Sequence, residues 1–286
     1  MTPDVKAFFH IPTFTVSYVV SDPSSSKAII IDSALDYDNS SGRTATTAAD
    51  EIINYIKAQN LDVEWILETH VHADHLTAAP YLQEKLGGTI GIGGVVKTVQ
   101  STFKKVFNCG DDVAEDGSQF QHLFKDGETV EVGGMTLEVL ATPGHTPACI
   151  TYKIGDAVFV GYSLFMPDFG TARCDFPGGD ARTLYRSIQK IFAYPPETRL
   201  FMCHDYGPNG RDFAWETTVA EQRAENIHIH DGISEEEFVK MRTERDATLS
   251  MPVLILPSIQ VNMRAGHFPE AESNGVSYLK VPLNAL

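Results

Sequence analysis

Residues 69–75 read Thr69-His70-Val71-His72-Ala73-Asp74-His75 and follow the strand-like run VEWILET (63–69). Four of these seven side chains are good metal ligands. Side chains alternate along an extended chain, so His70 and His72 fall on the same side. Asp74 and His75 come at the start of the next helix, where they can turn towards the same point. Imidazole with carboxylate suits zinc or non-haem iron. The bland alternative is a polar loop that is His-rich by accident. Three histidines and an aspartate within six residues, directly after a buried-looking strand, argue against it.

Further strand-like runs end in the same way. TLEVLA (136–141) leads into Thr142-Pro143-Gly144-His145, and TRLFMCH (198–204) delivers His204 into Asp205-Tyr206. A single loop histidine is usually structural, but His145 and His204 share the placement of the first cluster. Ligands of α/β sheets generally gather at the carboxyl ends of strands. The run Ala157-Val158-Phe159-Val160 breaks the series. It passes Gly161 and ends on a phenol, Tyr162. Of the other histidines, His10, His122 and His267 stand alone, and His228 and His230 alternate with no third ligand of comparable strength nearby.

The rest of the chain reads as mixed α/β. FTVSYVV (14–20) and KAIIIDSA (27–34) are β-branched runs around the turn cluster DPSSS. Residues 46–60 carry Ile52, Ile53 and Ile56 at helical spacing. Pro80–Leu86 reads as a helix stopped by Gly87-Gly88, and TIGIGG (89–94) as a strand. Residues 108–122 are acidic and read as an exposed loop. Residues 125–146 form two strands about Gly133-Gly134, and 150–161 a hairpin about Gly155-Asp156. Residues 181–193 and 234–246 are helices, the second opened by a capping box from Ser234 to Glu237. The strands-then-helix order occurs twice, in 14–86 and 125–193. Residues 1–286 are therefore expected to form one domain of two α/β halves.

The chain has 286 residues and a formal net charge of −16. So acidic a surface argues against nucleic acid or an anionic membrane as partner. No apolar run reaches membrane-spanning length, and the N-terminus lacks the pattern of a signal peptide. The four cysteines, Cys109, Cys149, Cys174 and Cys203, form no CxxC pair and read as free thiols of a reducing compartment. The expected location is the cytoplasm. MPVLILPSIQ (251–260) is apolar enough to be buried against the core or in a homodimer interface.

The order T-H-x-H-x-D-H, P-G-H-T, a strand ending near 162, then H-D-Y resembles the motif series of the metallo-β-lactamase superfamily across nearly the whole chain. The resemblance implies an αββα sandwich of two mixed sheets flanked by helices. THVHADHLTAA, TPGHTPACITY, GTARCDF and VNMRAGH are similar to the glyoxalase II-like branch, which contains persulfide dioxygenases and bacterial β-lactamase-like hydrolases. In the dioxygenases, one iron(II) is held by two histidines, matching His70 and His145, and by the aspartate of a Gly-Asp pair. In dinuclear zinc relatives that aspartate bridges one metal held by His70, His72 and His145 and another held by Asp74, His75 and His204. Here the pair is Gly161-Tyr162.

Three readings of Tyr162 follow. It serves as a phenolate ligand, which demands that a metal acidify a group of pKa near ~10. Its ring fills the space while water completes the site, the preferred reading because tyrosine is much longer than aspartate. Or it leaves a catalytically weakened protein that binds metal poorly. Ser163 is a weak substitute ligand, and Asp168 and Asp175 lie further along the loop. The resemblance implies Fe(II), with zinc as the alternative, and a small thiol or persulfide as substrate. Glutathione persulfide would yield sulfite and glutathione; a hydrolase would instead cleave thioesters or lactones. Arg173 and Arg264 are candidate carboxylate binders, or else structural ion pairs under a loop. Tyr206 is expected to face the substrate, and Ala265 removes any role for a thiol at that position.

Overall fold

The computed structural model describes residues 2–284. Two six-stranded sheets lie face to face. The first runs Asp4–His10, Thr15–Ser21, Lys27–Ile31, Asp62–Leu67, Thr89–Gly93, His122–Phe124. Its first three strands pair antiparallel and the remaining pairings are parallel. The second runs Thr129–Val132, Met135–Ala141, Ile150–Ile154, Ala157–Phe159, Arg199–Phe201, Glu216–Thr218. It is antiparallel except where Ala157–Phe159 meets Arg199–Phe201. Both sheets are thus mixed.

The period-two alternation of the strands sorts side chains into layers. Ile29 and Ile31 enter the core between the sheets while Ile30 enters the outer core. Phe159 and Phe201 face inward while Val158 and Leu200 face out. The inner layer is closed by Tyr18, Tyr152, Leu137 and Val139. Outside the first sheet lie the helices Thr47–Ala58, Ala79–Leu86, Val96–Val106 and Ile255–Asn262. Their Ile52, Ile56, Leu82, Val99, Phe103 and Ile259 fill the first outer core. Outside the second sheet, Ala181–Phe192 and Glu235–Asp246 bring Leu184, Ile188, Ile191 and Phe238. This is the expected αββα sandwich.

The capping box at Ser234 and Glu237 forms as read. Asp180 caps its helix by accepting from the Thr183 amide. Among the elements not read from sequence are the strand Asp4–His10 and the helices Val96–Val106, Val219–Glu225 and Ile255–Asn262. The last is buried almost all round, so it shows no amphipathic stripe. Its burial places MPVLILPSIQ largely against the core. Residues 108–122 are not simply an exposed loop. Val113 and Phe120 are buried in the first outer core, and Gln100 holds Gly117 and Gln119 by hydrogen bonds. All four cysteines are free, and only Cys109 is not buried.

Loops at the carboxyl ends of the strands Asp62–Leu67, Met135–Ala141, Ala157–Phe159 and Arg199–Phe201 bring their residues to one edge of the sandwich. Gly144 shows how tightly this edge is packed. It has φ +145, and a Cβ there would lie 2.4 Å from Leu184 Cα. Gly144→Ala should therefore destabilise the fold by about 3 kcal/mol through overpacking and backbone strain, measured as a lower denaturant midpoint.

Candidate metal centre

Four imidazole nitrogens at this edge are buried and have no hydrogen-bond partner: His70 Nε2, His72 Nδ1, His75 Nε2 and His204 Nε2. Buried polar atoms are rarely left unpaired unless an ion or a reaction claims them. The opposite nitrogen of each ring is engaged. His70 Nδ1 donates to Thr69 Oγ1 at 3.0 Å, and Thr69 Oγ1 in turn donates to Asp32 Oδ2 at 2.8 Å. His72 Nε2 donates to Asp32 Oδ1 at 3.1 Å and Glu68 Oε2 at 3.0 Å. His75 Nδ1 meets Asp74 Oδ2 at 3.2 Å, and His204 Nδ1 donates to the Phe14 carbonyl at 3.1 Å. His145 Nδ1 donates to the Arg173 carbonyl at 2.8 Å. At His70, His72, His75 and His204 one ring nitrogen is thus engaged and the other is without a hydrogen bond, the arrangement a metal-binding histidine needs.

Of three groups of close-set donor atoms among the described residues, one being Asp32, Glu68 and His72, two share Asp74. His70, His72 and Asp74 make one; Asp74, His75 and His204 make the other, and within each all atoms lie within 4.8 Å of one another. His204 Nε2 stands 3.0 Å from Asp74 Oδ2. His145 is adjacent, its ring centroid 5.4 Å from that of His70, but belongs to neither group. This donor chemistry fits a divalent zinc or iron ion.

Tyr162 sits in the middle of the site. Its ring stacks on His145 at 4.4 Å and meets His70 and His204 edge-on at 5.2 and 5.0 Å. Its hydroxyl is 3.2 Å from the hydroxyl of Tyr206. Burial, reinforced by Tyr206 and Asp74, holds the Tyr162 phenol well above its ordinary range, so it stays protonated. The neighbouring Ser163 Oγ is buried without a partner. Asp168 pairs with Arg211 and Asp175 with Arg173, so neither joins the donors.

Two carboxylates beneath the site were not read from sequence. Asp32 follows the buried strand Lys27–Ile31 as His70 follows Asp62–Leu67, and Glu68 directly precedes Thr69. That shared placement was the available signal. Burial opposes charge on His72, but the charge and hydrogen bond of Asp32, then those of Glu68, raise it to about 10, so a metal ion at Nδ1 would displace a proton. Burial lowers His75 and His145 to about 4 and pushes Glu68 up. Asn262 was also missed. Its side chain donates to the carbonyls of His72 and His75 and accepts from the Thr77 amide, tying the buried C-terminal helix to the histidine loop.

A cavity of about 490 Å³ opens over Asp74, Tyr162 and Tyr206. Phe14, Phe165 and Phe169 wall it, and Arg173 lines it. The Arg173 guanidinium is held by Asp175 and the Ser250 carbonyl. Arg264 does not line the cavity. It is buried against Asp112 and the Gln260 carbonyl, an ion pair under the loop 108–122.

Strand-end donors around a shared aspartate coincide with a family-model match. Residues 10–204 match the metallo-beta-lactamase superfamily. The chain belongs to that superfamily. It is 56% identical over 292 residues to a probable metallo-hydrolase of Burkholderia pseudomallei, covering 99% of each chain. It is 31% identical to the mitochondrial persulfide dioxygenase ETHE1 of Homo sapiens, over 92% of this chain and 88% of that one. Among solved structures it resembles ETHE1 from Myxococcus xanthus, with a TM-score of 0.73 and 29% identity over 92% of this chain and 100% of that one. Superfamily relatives named as a metallo-hydrolase and as persulfide dioxygenases both match. No described helix is long and apolar enough to cross a membrane.

Two predictions follow from this geometry. Glu68→Gln or Asp32→Asn should weaken divalent-metal affinity by roughly 10- to 100-fold by loosening His72, read by competition with a chelator. Tyr162→Asp should raise metal content per chain, towards about two where the carboxylate can be shared. Unchanged or reduced content would make Tyr162 a working ligand or substrate contact in its own right.

Proposed function

We propose that this superfamily member is a non-haem iron dioxygenase that oxidises a persulfide of the glutathione type to sulfite and the free thiol. The observation that carries this reading is the group His70, His72 and Asp74, two imidazoles and one carboxylate within 4.8 Å beside an aromatic cavity. Such a set suits Fe(II) and leaves coordination positions open. With tyrosine at 162, no second carboxylate is available there to be shared between two metals, which favours one ion over two. The likeness to a protein named persulfide dioxygenase supports the same reading.

Iron held by these residues would supply the redox chemistry with O₂. Overall, persulfide, O₂ and water give thiol, sulfite and two protons. The chain's own groups prepare the substrate. Phe14, Phe165 and Phe169 exclude water from the reacting end. Burial raises both phenols, Tyr162 and Tyr206, which places two hydroxyl donors beside an anionic sulfur in this cavity.

The second group, Asp74, His75 and His204, favours one other reading, a zinc hydrolase of thioesters or lactones. The similarity to a protein named metallo-hydrolase points the same way. Metal analysis of protein purified without oxygen separates the two. About one iron per chain and O₂ uptake with glutathione persulfide are expected. Stoichiometric zinc, thioester cleavage and no O₂ uptake would overturn the dioxygenase. Protein that holds no metal and performs neither reaction would mark a weakened binding protein on the same fold.

A further inference from the structure

The loop 164–171 supplies one wall of the cavity through Phe165 and Phe169. It closes on itself. Leu164 bridges Thr171, the Phe165 amide donates to the Gly170 carbonyl at 2.9 Å, and the amides of Phe169 and Gly170 donate to the Met166 carbonyl at 2.8 and 3.0 Å. Beneath it, the buried side chains of Gln222 and Asn226 donate to the carbonyls of Phe165 and Gly170. None of these bonds reaches Tyr206, which enters the cavity from the segment after His204.

Arg211 makes that connection. Its guanidinium forks onto Asp168 of the loop through Nε and Nη2 at 2.6 and 2.8 Å. It also forks onto Asp205 through Nη1 and Nη2 at 2.6 and 2.7 Å. Asp205 is buried between His204 and Tyr206 and accepts from the Ala214 amide at 2.8 Å. Among the described residues no other hydrogen bond joins the loop to residues 205–214. Each carboxylate has an aromatic neighbour in sequence, Phe169 after Asp168 and Tyr206 after Asp205. Those two rings pack with centroids 4.6 Å apart, and the Tyr206 hydroxyl lies 3.2 Å from that of Tyr162. A guanidinium is planar and its donors are fixed in direction, so gripping two carboxylates bidentately fixes their separation.

We infer that Arg211 is a positioning residue: it clamps the Phe169 wall to Tyr206 and so sets the width of the cavity and its affinity for the ligand. The inference rests on the reading that this cavity receives a thiol or persulfide, and names what holds the cavity to that ligand's size. The two halves of the clamp differ in burial. Asp168 is 43% exposed, whereas the Asp205 side chain is wholly buried. Removing Arg211 would strand a buried charge, but removing Asp168 costs the fold little.

The test therefore starts from Asp168→Ala in the whole protein. Its denaturant midpoint should stay close to that of wild type. Hydrogen exchange at the amides of Phe165, Phe169 and Gly170 should quicken, and glutathione, titrated as a probe and followed by NMR, should bind roughly fivefold more weakly. KM for glutathione persulfide should rise by the same factor with kcat little changed. Arg211→Lys keeps a cation beside Asp205 but cannot fork onto two carboxylates, and should behave alike. Phe169→Ala should weaken glutathione binding, and adding Asp168→Ala should weaken it no further, because the clamp acts through that ring. Lys27→Gln removes an exposed ion pair with Asp62 at the opposite end of the strands and should change none of these readings. Equal glutathione binding by wild type and Asp168→Ala overturns the inference, as does a loss additive with Phe169→Ala or a wild type that binds no glutathione. Weaker binding by Asp168→Ala in a protein showing no O₂ uptake would overturn the dioxygenase and leave the clamp standing.

Discussion

His72 Nε2 lies between two buried carboxylates, Asp32 at 3.1 Å and Glu68 at 3.0 Å. Burying two acids side by side is costly unless each finds a partner. Here the partners are the site itself. Asp32 also takes the Thr69 amide and hydroxyl at 2.8 Å, and Glu68 takes the Thr77 hydroxyl. The acids thereby pin the histidine loop to two strands of the first sheet. They also decide which nitrogen of His72, and through Thr69 which nitrogen of His70, faces the metal position. The orientation of the donor set depends on this brace more than on the loop's own backbone.

Around that brace, Tyr162 sets the character of the centre. Its ring lies flat on His145 and edge-on to His70 and His204. An aspartate at this position would offer charge; a protonated phenol offers bulk and a hydrogen-bond donor. The single carboxylate facing both donor groups is then Asp74. A second ion would have to share that one ligand, and the electrostatic gain of a bridging carboxylate is gone. Asp74 in turn is kept ionised: burial opposes its charge, but His204 and His75 outweigh it.

Much of the frame was legible. The capping box at Ser234, the histidine-bearing strand ends and the strands themselves rest on patterns that span a few residues, such as the alternation of Ile29, Ile30 and Ile31 between layers, whereas the sandwich was implied by the resemblance of the motif series. What escaped was of two kinds. The helix Ile255–Asn262 is apolar on every side, so its sequence carries no stripe to read. Arg173 and Arg264 were chosen by neighbouring motif, yet a guanidinium is defined by what it pairs with. Both have partners in the fold: Arg173 lines the cavity while paired with Asp175, and Arg264 forms the alternative already weighed, an ion pair under a loop.

By itself the sequence determined which side chains are available at the strand ends and that position 162 lacks a carboxylate, because strand periodicity and turn chemistry are local. Only the tertiary structure decided which ring nitrogens are left bare, where the Tyr162 ring rests and which partners hold Arg173 and Arg264. Those outcomes depend on partners far away in the chain. Asp32 reaches Thr69 across 37 positions, Arg173 reaches His145 across 28, and Phe14 reaches His204 across 190. No local pattern encodes such pairings. They arise when two sheets close on each other and every buried polar atom must find a partner or a ligand.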